Sequence, residues 1–270
     1  MKPSARHHHN PVLHLRQFAE PMFSDSLCVF ERKTGRWDTG RRTPGGIGYA
    51  RHLYSSWDIQ GQRGDHFERF LTTIVDTPCA DAIKKAGVDP WSLSRDERVL
   101  VARFVAFAAA RTRNLLEVTE CNRLRDNPTD EWLLREWCKM TGKEFTSNAD
   151  GELLRSSLFR AATTCAVRWM ERILPWKWHF LRTTRDAPFI LSDWPAAGTF
   201  DIGHHLLTFP ISTEIALVTS SHPGVGLPHG GTVDDVRAIN LRTMHHATKF
   251  LVCNKKSFPG DDFLPKWTAA

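Results

Sequence analysis

The sequence predicts a single α+β domain over residues 1–270, in which N-terminal and C-terminal β regions pair around a central helical block. Residues 1–60 are rich in short strand patterns separated by glycine turns. Residues 62–175 carry apolar side chains at helical spacing. Residues 176–255 return to strand patterns with one helix, and residues 256–270 are expected to form a tail.

The N-terminal β region is predicted from a hairpin. A strand from Ser26 to Glu31 leads into the turn Lys33-Thr34-Gly35-Arg36, in which glycine tolerates a positive φ, and a second strand begins at Trp37. Pro44-Gly45-Gly46 indicates a second loop, and an extended segment from Ile47 to Tyr54 follows it.

The central block is predicted to be helical. Apolar residues at helical spacing predict a helix from Gly64 to Val75. Ser94 and Glu97 fit a capping box, and the apolar face of the helix that they open leads to Arg111. This arginine therefore either extends to solvent at the rim or is buried with a carboxylate. Two further helices are predicted, Glu131 to Met140 and Gly151 to Leu174.

The last third alternates strands with loops and one helix. Predicted strands are His179 to Thr183, Phe189 to Ser192, Leu206 to Phe209, Glu214 to Thr219 and Lys249 to Cys253. Glycine-containing loops are expected at Gly198 to Gly203 and at Pro223 to Gly231. A helix is predicted from Thr232 to about Thr248.

Composition limits the classes of function. The formal net charge is +6, which is compatible with an anionic partner such as a nucleic acid but is explained more simply by a solvated basic surface. The most apolar run, Val99 to Ala110, is interrupted by Arg103 and is too short to cross a bilayer, so no membrane partner is expected. The N-terminus lacks the apolar core of a secretory signal. The sequence does not indicate an oligomeric state.

The six cysteines form no CxxC pair, which argues against a zinc ribbon. Scattered cysteines in apolar surroundings are typical of buried thiols in a reducing compartment, and we expect a cytoplasmic protein. They are Cys28, Cys79, Cys121, Cys138, Cys165 and Cys253.

Polar residues at both ends of the chain suggest a functional site. His8 is a candidate general acid or base, or a structural histidine bonded to backbone. Arg16 suits bidentate contact with a carboxylate or a phosphate, with Asp193 or Glu68 as its internal partner. Ser192 and Asp193 end an apolar strand, where they either present reactive groups or cap a turn before Pro195.

Local motifs for specific chemistries are missing around these residues. Glu68 and His66 do not form an HExxH zinc motif, and a metal site built from His8, Glu68 and Asp193 has no support from spacing. A divalent metal such as Mg²⁺ or Mn²⁺ is therefore an open cofactor assignment. Ser192 is a candidate nucleophile without a Gly-x-Ser-x-Gly elbow.

The order of short motifs resembles a family known as domain of unknown function 4238. The matching pieces are His8-x-x-Pro11 with Leu15-Arg16-x-Phe18, the strand from Cys28 to Arg32 with its Lys-Thr-Gly turn, Glu68, Arg111-Thr112-Arg113, the phrase from Phe189 to Pro195, Phe209-Pro210-Ile211-Ser212 and Asn240. Trp194 and Arg113 depart from the residues that similar proteins often have there, Asn and Pro. The resemblance covers most of the chain and implies a fold and shared polar positions, without a catalytic role.

Two functional hypotheses follow. The first is a hydrolase or transferase that acts on a phosphate-containing substrate, nucleic acid among them. Its catalytic residues would be His8, Glu68, Ser192 and Asp193, and its anion-binding residues would be Arg16, Arg111 and Asn240. The second is a non-catalytic binding or structural module whose His, Arg and Asp residues form a buried ion-pair network.

Overall fold

The structure is a computed structural model that describes residues 6–8, 10–20, 26–38, 40–51, 56–57, 63–64, 66–111, 157–184, 186–201, 204–221 and 231–269. The predicted helix from Glu131 to Met140 lies outside these residues, as do Cys121 and Cys138. The loop predicted at Pro223 to Gly231 also lies outside them, except for its last glycine.

The strands are β1 (Arg6–His8), β2 (Cys28–Glu31), β3 (Arg36–Trp37), β4 (Tyr49–Arg51), β5 (Ser56–Trp57), β6 (Arg63–Gly64), β7 (Lys177–Arg182), β8 (Leu191–Ser192), β9 (Ala197–Asp201), β10 (His204–Pro210), β11 (Ile215–Ser220) and β12 (Phe250–Cys253). The α-helices are α1 (Val12–Arg16), α2 (His66–Phe70), α3 (Thr77–Ala86), α4 (Arg95–Ala110), α5 (Ser157–Ile173), α6 (Val233–His246) and α7 (Leu264–Ala269).

One four-stranded antiparallel sheet, in the order β3-β2-β12-β8, joins the two ends of the chain; we call it the chain-end sheet. In its register Phe250 lies opposite Glu31, and Cys253 lies opposite Cys28. The predicted hairpin of β2 and β3 is confirmed, with Gly35 at a φ of 64° in its turn. The predicted α+β fold, with N-terminal and C-terminal strands in one sheet, is therefore confirmed.

The second four-stranded sheet, in the order β7-β11-β10-β9, is built from strands within residues 177–220, of which β9, β10 and β11 are consecutive; we call it the meander sheet. Its central strand β11 is buried along its whole length. Phe209 and Leu217 belong to the apolar core that includes α4 and α5, whereas Val218 packs with residues of α6. Helices therefore cover both faces of this sheet, which explains why β11 has few polar side chains.

The loop expected at Gly198 to Gly203 is wrong for its described residues, because residues 197–201 form β9. Gly198 pairs with Leu207 and Thr199 with Leu206 in the antiparallel ladder with β10. A single glycine weakens a strand without ending it when a neighbouring strand supplies the hydrogen bonds.

The helical block differs from the prediction in length. The helix expected to end at Val75 continues through a π-helical turn, Leu71–Asp76, into α3. Pro78 suggests an end at this point, but it lies in the first turn of α3, where its missing N–H is not needed. The Ser94 capping box is confirmed, since Ser94 accepts from the Glu97 N–H and Glu97 accepts from the Ser94 N–H.

The segment expected to be a tail is ordered over its described part. A 3-10 turn, Asp261–Phe263, leads into α7, and Leu264 and Trp267 are buried. Trp267 packs against Phe30 of the chain-end sheet. This C-terminal segment therefore covers one face of that sheet. Among the residues that the structure describes, no helix is long and apolar enough to cross a membrane.

Candidate ligand-binding groove

The opening motif folds into a bend that touches both a glycine loop and the Ser-Asp turn. After β1 the chain passes through the buried Asn10 into α1. The Asn10 N–H donates to the Gly48 carbonyl at 3.0 Å, and its side-chain Nδ2 donates to the Ser192 carbonyl at 2.7 Å. One asparagine thereby joins segments that are 182 residues apart in the chain.

The Ser-Asp phrase forms a turn whose carboxylate holds the start of β12. The Ser192 hydroxyl donates to the Trp194 carbonyl at 2.8 Å and accepts from the Trp194 N–H at 3.1 Å. One Asp193 oxygen accepts from the N–H groups of Thr248 (2.9 Å) and Lys249 (3.1 Å), and the other accepts from the Thr248 hydroxyl. The contacts of Ser192 match the turn cap, whereas Asp193 binds a distant segment of the chain.

Asn240 on α6 also makes contacts typical of a structural residue. Its Oδ1 accepts from the Ile190 N–H at 3.1 Å. Its Nδ2 donates to the carbonyls of Pro188 (3.1 Å) and Pro259 (3.0 Å). The fully buried amide therefore holds two separate segments, around Pro188–Ile190 and at Pro259, against α6.

Arg111 is 1% exposed and binds the carboxylate of Asp76 with both ends of its guanidinium. The distances are 3.1 Å from Nη1 to Oδ2 and 2.8 Å from Nη2 to Oδ1. The buried alternative for this arginine is thus confirmed. Asp76 was not predicted as its partner, because it lies 35 residues earlier, in the π-helical turn.

The remaining predicted residues lie around β1 and α1. The His8 N–H donates to Glu68 Oε1 at 3.4 Å, and the His8 ring lies edge-on to Tyr49 with 5.7 Å between ring centroids. The Arg16 side chain is exposed on α1. The structure therefore brings together His8 with Glu68, and Asn10 with Ser192, while Arg111 and Asp193 bind other partners.

His14 is a buried titratable residue that sequence reasoning missed. Its Nε2 donates to the Pro210 carbonyl at 2.8 Å, and its ring stacks on Phe209 at 4.7 Å. Burial, opposed by the hydrogen bond to Pro210 and aided by the nearby Arg111 charge, lowers the pKa of His14 to about 4. The signal for it was its position between apolar residues in the motif Val12-Leu13-His14-Leu15.

An open groove of about 590 Å³ lies on the face of the chain-end sheet opposite the C-terminal segment. Its apolar lining comprises Val29, Ile47 and Phe250. One wall contains Gly48 and Tyr49, and the other contains Thr248 and Lys249. These walls are the segments that Asn10 and Asp193 hold by hydrogen bonds, so the polar motifs position the groove without lining it.

The groove is predominantly cationic. Among the described residues that line it, Glu31 is the acid, and Arg32, Lys33, Arg42 and Lys249 are basic. The guanidinium of Arg32 contacts Trp267 on the other face of the sheet, so the charges at the groove are those of Lys33, Arg42 and Lys249. The Arg32 N–H donates to the Lys249 carbonyl at 2.8 Å, so the hairpin turn that carries Lys33 lies beside the start of β12.

The basic side chains of the groove differ in their hydrogen bonds and ion pairs. The Arg32 guanidinium donates to the carbonyls of Trp267 (3.1 Å) and Ala247 (3.3 Å). Arg42 binds Asp38, and this hydrogen bond raises the pKa of Arg42. Lys33 and Lys249 are exposed and form no ion pair with any residue that the structure describes. Their charges are therefore available to a ligand.

Sequence reasoning missed this cluster of bases because each one looks like an ordinary surface residue. Only the register of β2 and β12 brings the hairpin turn next to Lys249. Within the described part of the chain, no three His, Cys, Asp or Glu side chains are grouped in a way that could hold a metal ion. The described residues therefore offer no candidate binding site for Mg²⁺ or Mn²⁺.

The fold and groove define an α+β protein whose chain ends meet in one sheet beside a basic groove. A family model described as "Protein of unknown function (DUF4238)" matches residues 6–257, nearly the whole chain. The chain therefore belongs to this family, as the order of its motifs indicated. No curated protein and no solved structure matches the chain.

Proposed function

We propose that the protein binds a phosphate-bearing anion in the groove and acts as a binding module. The observation that carries this proposal is the pair of exposed ammonium groups, Lys33 and Lys249, at the edge of a cavity of about 590 Å³. Lysine binds phosphate as a point charge, and this electrostatic attraction weakens as the salt concentration rises.

The contacts of the motif residues support a binding role over a catalytic one. A catalytic carboxylate needs an oxygen that can reach the reacting atoms. Asp193 instead receives two backbone N–H groups and a hydroxyl. Arg111, proposed from sequence to bind the anion, already binds Asp76 through both ends of its guanidinium. Asp193 would then act as a positioning residue for one wall of the groove, and Arg111 as a structural residue of the helical core.

Calorimetric titration with inorganic pyrophosphate tests the binding function. The double variant Lys33→Gln/Lys249→Gln should bind about tenfold more weakly than the wild type, because it loses two charged hydrogen-bond donors. Lys84→Gln is the matched control, since Lys84 is 67% exposed on α3 and does not line the groove. Absence of binding to the wild type, or an equal loss in the control, would reject the proposal.

A second candidate is a hydrolase or transferase acting on the same phosphate-bearing ligand, nucleic acid included. The observation that favours it is the contact of the His8 ring with Tyr49, which lines the groove. An imidazole beside a bound phosphate is a candidate general acid or base.

Turnover of labelled RNA and DNA with Mg²⁺ or Mn²⁺ distinguishes the two candidates. The enzyme hypothesis expects turnover that His8→Gln abolishes while pyrophosphate affinity is retained. Wild-type protein that binds pyrophosphate and turns over neither nucleic acid would leave the binding module as the function.

A further inference from the structure

We infer that the groove is built for a nucleotide-like ligand, in which a phosphate is joined to a flat aromatic group. This inference rests on the proposed function. A groove for phosphate alone needs donors and charge. This groove also contains an apolar region formed by Val29, Ile47 and Phe250, with the ring of Tyr49 in its wall.

The position of this apolar region follows from the register of the chain-end sheet. Val29 lies opposite Val252, and Glu31 lies opposite Phe250, so all four side chains belong to one face. Towards Val29 and Val252 this face is covered by Leu15 and Phe18 of the N-terminal segment. Towards Glu31 and Phe250 it faces the groove, where Phe250 and Tyr49 are only half-buried.

Aromatic rings at such a position are suited to a ligand that is itself flat. Nucleic-acid bases stack on aromatic side chains with little dependence on sequence, because every base has a π-face. The His8 ring contacts the Tyr49 ring and so limits the orientations that the Tyr49 side chain can adopt. A cavity of about 590 Å³ is also within the size range of sites for small organic ligands.

The charged side chains of the groove suit the phosphate and the hydrogen-bond donors of such a ligand. Lys33 and Lys249 lie at the edge, where a phosphate would remain partly solvated. Glu31 lies opposite Phe250 in the lining, and a carboxylate accepts hydrogen bonds. Sugar hydroxyls and exocyclic amines are donors that would suit it.

A neighbouring cavity of about 340 Å³ shares Glu31 and Arg42 with the groove and includes Trp37 in its lining. The Trp37 ring packs against Phe30 and Phe258 on the other face of the sheet. Arg36, which also lines this cavity, lies opposite Glu31 on the groove face, so the phosphate of a second nucleotide in a strand would meet a further basic side chain there. The same chemistry could therefore recognise a free nucleotide or a nucleotide within a strand, and the experiment must separate the two.

Titration with adenosine 5′-monophosphate and with ribose 5-phosphate tests the inference, because the two probes share a sugar phosphate and differ in the base. Adenosine 5′-monophosphate should bind about tenfold more tightly, as expected for stacking of one base. Tyr49→Ala and Phe250→Leu should each reduce this preference to less than about threefold and leave ribose 5-phosphate binding unchanged. Tyr49→Phe, which keeps the ring, should retain it.

The outcomes separate this inference from the proposed function. Equal affinity for the two probes, with pyrophosphate still binding, would overturn the aromatic subsite and leave the anion site intact. Failure of all three probes would reject the anion site itself. Thermal melts check that each variant is folded; if Tyr49→Ala is not, Phe250→Leu decides the result.

An oligoadenylate of eight nucleotides is the final probe. Affinity at least tenfold above that of adenosine 5′-monophosphate, lost with Arg36→Gln, would assign the groove to a nucleotide within a strand. Affinity equal to that of the monophosphate would assign it to a free nucleotide.

Discussion

The two four-stranded sheets of this protein differ in how their faces are covered. The meander sheet has helices on both faces, and its strand β11 is buried along its whole length. The chain-end sheet has the C-terminal segment on one face, whereas on the other face, among the residues that the structure describes, the N-terminal segment covers only a part. The uncovered part of that face is the basic groove.

This difference assigns stability mainly to the meander sheet and its core, and ligand binding to the chain-end sheet. Strands that are close in sequence form the enclosed sheet and much of the apolar core, whereas strands from distant parts of the chain form the sheet that carries the groove. Long-range pairing of this kind needs polar groups that fix separated segments, and Asn10 and Asp193 provide such contacts. Changes in the core should therefore alter stability, and changes at the groove should alter binding.

The largest effect on stability is expected from Arg111→Ala. The substitution leaves the Asp76 carboxylate without its bidentate partner in the helical core and should cost about 3–5 kcal/mol of unfolding free energy. Denaturant titration measures this loss. Arg98→Ala, an exposed position on the same helix α4, is the control and should change stability by less than about 0.5 kcal/mol. A similar loss in both variants would contradict the assigned role of the ion pair.

His14 should make stability depend on pH. Because the folded pKa of about 4 lies below the ordinary value of 6.5, the unfolded chain binds the proton first as the pH falls. Stability from this group is therefore complete above pH 6.5 and is lost towards pH 4, by about 3 kcal/mol in total.

Unfolding free energies measured between pH 7 and pH 4 test this prediction. His14→Gln should remove most of the slope, whereas His245→Gln, which changes an exposed histidine of α6, should retain it. An unchanged slope in His14→Gln would assign the pH dependence to other groups.

Asp193→Asn should affect both properties. The amide keeps the shape but loses the charge that receives the Thr248 and Lys249 N–H groups, so we expect a loss of about 2 kcal/mol. Because the same contacts hold one wall of the groove, pyrophosphate should also bind several-fold more weakly. Asp81→Asn, a fully exposed change on α3, should alter neither property. Normal binding in a destabilised Asp193→Asn protein would separate this residue from the groove.

Gly48→Ala should have a smaller effect, localised to the opposite wall. Gly48 has a φ of +66°, and a Cβ there would lie 2.9 Å from the Cβ of Asn10. Backbone strain and this close contact should together cost about 1–2 kcal/mol. Gly45→Ala in the same loop, where a Cβ would meet nothing within 4 Å, is the control and should be nearly neutral by thermal melting. Equal melting temperatures for the two variants would contradict the close contact.

Local signals in the sequence were sufficient for much of the fold. The capping boxes at Ser94 and Thr232 begin α4 and α6, and Gly35 with its positive φ closes the β2–β3 hairpin. Gly198 was misleading, because the effect of a glycine in a strand depends on the neighbouring strand. The helix end predicted at Val75 was also wrong, since the helical chain continues into α3.

The site was less predictable, because its contacts join distant parts of the chain. The polar motifs indicated that the two ends meet, which the bond from Asn10 to Ser192 bears out across 182 residues. The partner of Arg111 and the meeting of Lys33 with Lys249 depend on register and helix packing, for which no local pattern exists. Residues that position the groove were therefore recognisable, whereas those that line it were not.

The most direct test of the account is the affinity for inorganic pyrophosphate of the Lys33→Gln/Lys249→Gln variant against the wild type. We predict about tenfold weaker binding with an unfolding free energy within about 0.5 kcal/mol of the wild type, because both side chains are exposed at the groove. Unchanged affinity in the variant, or a wild-type protein that does not bind pyrophosphate, would contradict it.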